Sequence, residues 1–437
     1  MKIRGAPFPP ALLLLLLGLA AWNTWSPSGG SLWTWTGLSL AALAGVLFSG
    51  RVPARIWGSG GLVLGLIALY AWNASYQWID GRGLVPLDHV RGLPASAFPE
   101  GTWEAFRVVL AALAVFALAL RLSLRQVRWL QRAAVVAAVG MALLVLMQRL
   151  EPNPFHVYEH TGIFVNENHF AVFSNLLLPV VLARASRARF RAVQEGRPSS
   201  PAGLYLLAAV LMAAAVVLCR SRAGVAVMAL LVAAHVGLCR RTIRDYPFVG
   251  LPFSAWAKGT GWVAIVAAAG FAARAFGREW RQLSAIGNEW AFRSGILKDA
   301  LAAWRERPVW GTGPGTFTAV FPYYQSAPFD GITILHAHCE PVQFLMEFGV
   351  AVALVAVAAA VLLLSARGFK SAPSDEIPPF ADLERRAFGF GLLACALHCI
   401  VDFPLRIPLL ALIAVAWAGV WAATRPIPAA GSTVPKE

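Results

Sequence analysis

His336-Ala337-His338-Cys339-Glu340-Pro341-Val342-Gln343-Phe344-Leu345-Met346-Glu347-Phe348-Gly349 ends a polar loop and runs straight into an apolar block that continues to Ala366. Such a block is long enough to cross roughly 30 Å of hydrocarbon as a helix. Histidines and carboxylates at a membrane boundary are costly unless water or partners satisfy them. One segment therefore indicates both a membrane helix and a place for chemistry.

The same texture recurs outward along the chain. Of 437 residues, 58% are hydrophobic and 14% charged, against about 25% charge in a soluble domain. The apolar residues fall in long runs rather than at amphipathic spacing. Twelve blocks can be drawn: Pro9–Trp25, Leu32–Phe48, Gly61–Trp78, Ala105–Leu120, Ala133–Gln148, Phe170–Ala185, Leu204–Cys219, Ala223–Cys239, Thr260–Ala275, Val342–Ala366, Ala387–Val401 and Ile407–Thr424. They predict an all-α polytopic membrane protein with about twelve transmembrane helices. Residues 1–437 form one membrane domain, and residues 277–341 form a long external loop holding short helices.

The net charge of +15 does not point to nucleic acid, because the basic residues are spread between the apolar blocks rather than gathered on one domain. Sorted by alternate connection, they favour one side. Arg121, Arg125, Arg128 and Arg132 lie there, as do Arg184, Arg187, Arg189, Arg191 and Arg197, Arg240, Arg241 and Arg244, and Arg385 and Arg386. The positive-inside rule makes that side cytoplasmic and both termini internal. Lys2, Arg4 and the following leucines also fit a signal peptide, but no clean small-x-small site follows, and an uncleaved span is expected. The five cysteines form neither a zinc motif nor a disulfide framework, and Cys395 and Cys399 read as packing residues on one helix face.

Two outer segments are rich in polar groups: Glu151–His169 and Gly277–Glu340. In the second, Trp290, Leu297, Leu301 and Trp304 recur at helical spacing, which predicts an amphipathic helix lying on the membrane surface. Gly311-Thr312-Gly313-Pro314-Gly315 then ends it. This cluster lacks the Lys-Ser/Thr of a phosphate loop, and Pro314 removes an amide donor, so it reads as a turn. Arg220 and Arg222 share a short turn on the outer side, against the charge rule. They either snorkel to lipid phosphates or form a fork for a substrate phosphate. Asn166 and Asn168 can bind sugar hydroxyls or cap the sixth membrane helix. Asp402 is expected to pair with Arg406 or with an active-site arginine. His336 and His160 read as loop histidines in water, and Glu340 is close enough in sequence to reach His338.

Several pieces together resemble the O-antigen ligase and O-antigen polymerase superfamily. They are Thr161-Gly162-x-Phe164-x-Asn166-x-Asn168-His169-Phe170-Ala171, Ser221-Arg222-Ala223-Gly224, and Arg293 followed by Trp304, Pro308, Gly311-Thr312-Gly313-Pro314-Gly315 and Phe317. His338-Cys339, nine residues and Gly349 match its histidine signature, and Asp402 before Pro404 fits a late aspartate. Cys339 stands where Asn, Ser or Gln is usual, and Val352 where a second glycine often follows.

The resemblance implies a GT-C-type helical fold in the bacterial inner membrane, with the active site on the periplasmic side. It implies a donor glycan carried on a polyprenyl diphosphate and no metal, nucleotide sugar or other cofactor. Arg222, Arg293 and His338 match the residues thought essential there. The chemistry suits them. Guanidinium groups can stabilise the departing diphosphate in place of a cation, and a histidine can take the proton of an acceptor hydroxyl. Arg220, Asn166, Asn168, Glu347 and Asp402 complete the candidate site as substrate-binding residues. The acceptor could be a lipid A core, another repeat unit or a protein, so ligase, polymerase and protein O-glycosylation stay open, in lipopolysaccharide or exopolysaccharide biosynthesis. A transporter or flippase of lipid-linked glycans is the alternative class. It fits less well, because the ionisable residues cluster at outer helix ends and no internal repeat appears. The expected partners are the lipid-linked donor, the acceptor and membrane lipids, with no nucleic acid.

Overall fold

The structure, a computed structural model, describes residues 8–25, 32–48, 54–150, 161–197, 200–245, 283–326, 331–365 and 378–424. The helices are α1 Phe8–Trp25, α2 Leu32–Phe48, α3 Ala54–Trp72, α4 Pro99–Leu120, α5 Leu124–Leu150, α6 Glu167–Gln194, α7 Ala202–Leu218 and α8 Arg222–Asp245. After them come α9 Leu283–Glu306, the single turn α10 Phe317–Val320, α11 Glu340–Ser365, α12 Pro378–Cys399 and α13 Pro408–Ala423. Among the described residues, five helices (α4, α5, α6, α8 and α11) are long and apolar enough to cross a membrane, and shorter apolar helices accompany them. The chain is a mostly helical, polytopic membrane protein. The ninth apolar block, Thr260–Ala275, lies outside the described residues, as does His160.

The helix α6 organises the bundle. Its first turn is capped by Asn166, whose side chain accepts from the Asn168 amide, satisfying one of the donors a helix start leaves open. Most of α6 is buried, and it packs against α5, α7, α8 and α12. By contrast Val136, Leu204, Leu207, Leu354 and Val357 face outward, which suits lipid contact and would be unfavourable in water.

Three local features depart from the expected pattern or add to it. The third block does not stay helical to Trp78. α3 stops at Trp72, and Asn73 turns the chain by bonding to Val90 and Pro94. Tyr76–Ile79 (β1) then pairs antiparallel with Gly83–Pro86 (β2). The Asp80-Gly81 turn, with Gly81 and Gly83 at positive φ, is the sequence signal for that hairpin.

The loop helix α9 adds a docking face to the expected helical pattern. It buries its small face, Ile296, Ala300 and Ala303, against Phe317, Phe321 and Met346, while Trp290 is 68% exposed. The helix therefore docks on the protein through Ile296, Ala300 and Ala303, with Trp304 half-buried against the same cluster and Trp290 left on the exposed side.

The tenth block is not one continuous helix. At Gly349 (φ 64°, ψ −179°) α11 breaks. The segment 308–313 inserts there and satisfies what the break opens. Thr312 and Gly313 amides donate to the Met346 and Glu347 carbonyls at 2.9 and 2.8 Å, and the Val350 and Ala351 amides donate to Pro308 and Val309 at 2.9 and 3.1 Å. Tyr70 adds hydrogen bonds to the Trp310 and Phe348 carbonyls. Broken backbone at membrane depth needs such patching. The glycine cluster is thus a turn, as expected, with the added task of splinting α11.

Candidate functional site

The site forms where the starts of α6, α8 and α11 meet the connection between α12 and α13. Gln148 holds the entry to α6 by donating to the Gly162 carbonyl and accepting from its amide, at 3.0 and 2.9 Å. One hydrogen bond then locks α8 to α6, and a second closes the first turn of α8. Ser221 Oγ donates to Asn168 Oδ1 at 2.6 Å and accepts from the Gly224 amide at 2.9 Å. A Cβ on Gly224 would lie 2.4 Å from that of Ala171, so only glycine lets the two helices come this close. Asn175 reinforces the contact from α6 by donating to the Gly224 carbonyl at 3.0 Å, and it meets His398 Nε2 at 3.2 Å. Arg220 and Arg222 flank Ser221 and are exposed.

Asp402 is fully buried and collects two imidazoles. His338 Nδ1 lies 3.6 Å from its Oδ1, and His169 Nε2 lies 3.9 Å from the same atom. Both distances exceed a hydrogen bond, so these are charge contacts that a sub-ångström shift would close. His338 Nδ1, His169 Nε2 and Asp402 Oδ2 have no hydrogen-bond partner, so hydrogen-bonding capacity converges on one spot. Phe403 sits at the centre. Its ring centroid is 4.2 Å from that of His336, 4.9 Å from His169 and 5.0 Å from His338. Arg293, from α9, donates to the Val401 carbonyl at 2.5 Å, one residue before Asp402. The loop helix thereby delivers a guanidinium to the same corner.

Charge and burial set the state of the loop groups. Burial alone would raise the Asp402 carboxyl, but His338 and His169 hold it below the usual carboxylate range. Burial, with Arg406 nearby, pushes His336 down to about 3, so it is neutral near pH 7. His336 is thus a half-buried ring against Phe403 and not a loop histidine in water. Burial alone would lower Arg406, but Glu347 and Glu340 hold it above its ordinary value.

Arg406 does not pair with Asp402 as expected. It donates to Glu347 at 2.9 Å and to Glu340 at 3.3 Å, while Glu340 also accepts from the Leu405 amide at 2.9 Å. Glu340 therefore faces the α12–α13 connection rather than His338. Glu347 is fully buried, with its second oxygen taken by Gln343 at 3.1 Å. Gln343 in turn accepts from the Ala337 amide at 3.0 Å. The chain Arg406–Glu347–Gln343–Ala337 fixes the segment carrying His338. His338 itself sits at φ 52°, and Arg220 at φ 68°, a region that costs a non-glycine residue on the order of 1–2 kcal/mol. Strain of this kind tends to persist where the surroundings over-determine a functional position.

Of the expected residues, His338, Asp402 and Arg293 meet in one corner. Arg222 is next in the chain to Ser221, which bonds Asn168, the neighbour of His169. Asn166 and Asn168 serve the α6 cap and the α6–α8 lock. His169 and Phe403 were not among the expected site residues, His336 was expected as a loop histidine in water, and Arg406 as a partner of Asp402. The only signals for them were that His169 follows Asn168 and that Phe403 follows Asp402, which gain meaning once the segments are seen together.

Residues 207–369 match the O-antigen ligase family. The matched segment runs from within α7 through α11 and takes in the turn of Arg222 and the loop of Arg293 and His338, the same pieces that carry the sequence resemblance. Arg220, Arg222, Arg293, His338 and Glu347 lie inside the matched span, while Asn166, Asn168 and Asp402 lie outside it. No curated protein matches the chain.

Proposed function

We propose that this ligase-family chain moves a glycan from a polyprenyl diphosphate to an acceptor hydroxyl at the outer face of the bacterial inner membrane. It would do so within a GT-C-type bundle of about twelve spans. The observation that carries the reading is the convergence of His338 and His169 on Asp402, beside a guanidinium tied to Val401.

In this reading Asp402 holds His338 through Nδ1, which leaves Nε2 as the proton acceptor. The acceptor hydroxyl gives its proton to Nε2. Its oxygen forms a bond to the anomeric carbon as the bond from that carbon to the diphosphate oxygen breaks. Negative charge grows on the departing diphosphate and meets Arg222 and Arg293, whose planar forks suit paired oxygens. Arg220, exposed at the same turn, steers the diphosphate. Asn166, Asn168 and Glu347 act as positioning residues through the cap, the α6–α8 lock and the Arg406 network. The arginines supply the positive charge a divalent cation would otherwise provide, so no metal is required.

The test uses purified protein, a lipid-linked glycan and an acceptor. Arg222→Lys and Arg293→Lys should each lose most transfer activity, because lysine keeps the charge but loses the fork. Wild-type rates in both would overturn the assignment of these residues.

A further inference from the structure

Away from that corner, a shallow cavity of about 380 Å³ opens between the loop that follows β2 and the segment that follows α9. His89, Arg91 and Leu93 form one wall, and Arg307, Val309 and Trp310 the other. Hydrogen bonds fix both walls. Asn73 Nδ2 donates to the Val90 and Pro94 carbonyls, each at 3.1 Å, and Asn73 Oδ1 accepts from the Val90 amide at 2.8 Å. The Ser96 amide donates to the Tyr70 carbonyl at 3.1 Å, and the Ala97 amide to the Thr312 carbonyl at 2.8 Å. Trp310 Nε1 donates to the Gly92 carbonyl at 2.9 Å, which ties the second wall to the first. A site already rigid loses less entropy when a ligand arrives.

The protein uses only part of the hydrogen-bonding capacity on these walls. Arg307 donates to Ser75 Oγ at 3.2 Å and lies over the Tyr76 ring, and its guanidinium carries further N–H donors. His89 Nδ1 donates to the Leu87 carbonyl at 3.2 Å, which leaves Nε2 as an acceptor in the neutral ring. The Arg91 side chain is exposed and bonds to no group among the described residues. A sugar ring matches this lining. Its C–H face is apolar and suits the indole, Leu93 and Val309, while its hydroxyls accept from guanidinium groups and donate to an imidazole. An alkyl chain would leave the polar groups unmet, and a bare phosphate would leave the indole unused. The position suits a glycan that also reaches His338. Gly311, on the second wall, packs against the Glu347 backbone. Gly349 lies nine residues after the start of α11 at Glu340, roughly 14 Å at 1.5 Å per residue. A chain of a few sugars covers that distance.

We propose that this cavity is a sugar-binding subsite that grips the glycan away from the bond being made and so favours longer substrates over short ones. It rests on the glycan-transfer reading above. Remote contacts of this kind raise kcat/KM. The bound sugar belongs to the donor or to the acceptor, and the two arms of the test separate these sources. The test uses full-length protein in detergent, with the lipid-linked glycan and the acceptor extracted from the source strain, and with versions of each trimmed to the single reacting sugar. One arm compares full and trimmed donor, the other full and trimmed acceptor. Wild-type protein should prefer the full substrate in one arm by at least about fivefold in kcat/KM, and His89→Ala/Arg91→Ala should remove most of that preference. Loss in the donor arm assigns the sugar to the donor, and loss in the acceptor arm assigns it to the acceptor. The ratio does not depend on how much protein folds. Should the double variant be made too poorly to assay, Arg91→Ala alone should cut the preference by about half or more. No preference in the wild type, or a preference that the variants keep, would overturn the subsite. Absence of any transfer by the wild type would overturn the underlying reading and the subsite with it.

Discussion

His338 and His169 approach the same oxygen of Asp402 from segments 169 residues apart in sequence. A carboxylate that holds one imbalanced imidazole in place is a common way to orient a base; two imidazoles around it make its charge state central. Asp402→Asn keeps the shape but removes that charge, and transfer should fall by about 10²-fold or more while membrane protein level persists. Near-normal turnover would show that orientation of His338 does not need the carboxylate. Acid sensitivity has a separate source. His336 is held at about 3 in the folded chain, against about 6.5 when unfolded. Between those values the unfolded state binds the extra proton, so folding stability is full above about pH 6.5 and is lost as pH falls toward 3. The depressed Asp402 carboxyl adds a loss of the same sign below about pH 4. The thermal midpoint in detergent should therefore drop from pH 7 to pH 4, and His336→Gln should make the drop shallower. An unchanged slope in that variant would place the sensitivity elsewhere.

At the scale of elements, the break in α11 and the turn that fills it are one device. Gly349 and Gly311 face each other so closely that a Cβ on Gly349 would lie 2.3 Å from the Val309 carbonyl oxygen, and one on Gly311 2.6 Å from the Glu347 backbone. Both residues also sit at positive φ. Backbone cannot move aside as a flexible side chain can. Gly349→Ala should cost more than about 2 kcal/mol, read as a lowered thermal midpoint or poor membrane accumulation. A variant as stable as the wild type would mean that α11 can straighten. These contacts also explain what the histidine signature spaces: Gly349 lets the loop reach the helix, and Gln343 and Glu347 between it and His338 tie the loop end to Arg406. From the sequence alone the glycine cluster was legible as a turn but not as a splint, because its partners lie on another segment.

At the scale of the molecule, long apolar runs made the helical membrane class legible, and most described helices overlap an expected block. Where the reading slipped, a local signal had been averaged away. Asp80-Gly81 specifies a hairpin whose first strand, Tyr76–Ile79, begins inside the apolar run Gly61–Trp78 and is masked by it. The face of α9 that docks carries Ile296, Ala300 and Ala303 with Trp304 half-buried beside them, so small side chains as well as the tryptophan stripe make the contact. The candidate corner was partly legible, because His338, Arg293 and Asp402, which the structure brings together, carry chemistry in unusual places. His169, His336 and Phe403 were not, since only folding brings their rings around one carboxylate. The most direct measurement of the central claim uses a deletion strain complemented with His338→Gln. It follows lipid-linked and transferred glycan together with the amount of protein in the membrane. Normal protein levels with accumulated lipid-linked glycan and no transfer are predicted; wild-type transfer by the well-expressed variant would contradict the role of His338 as proton acceptor.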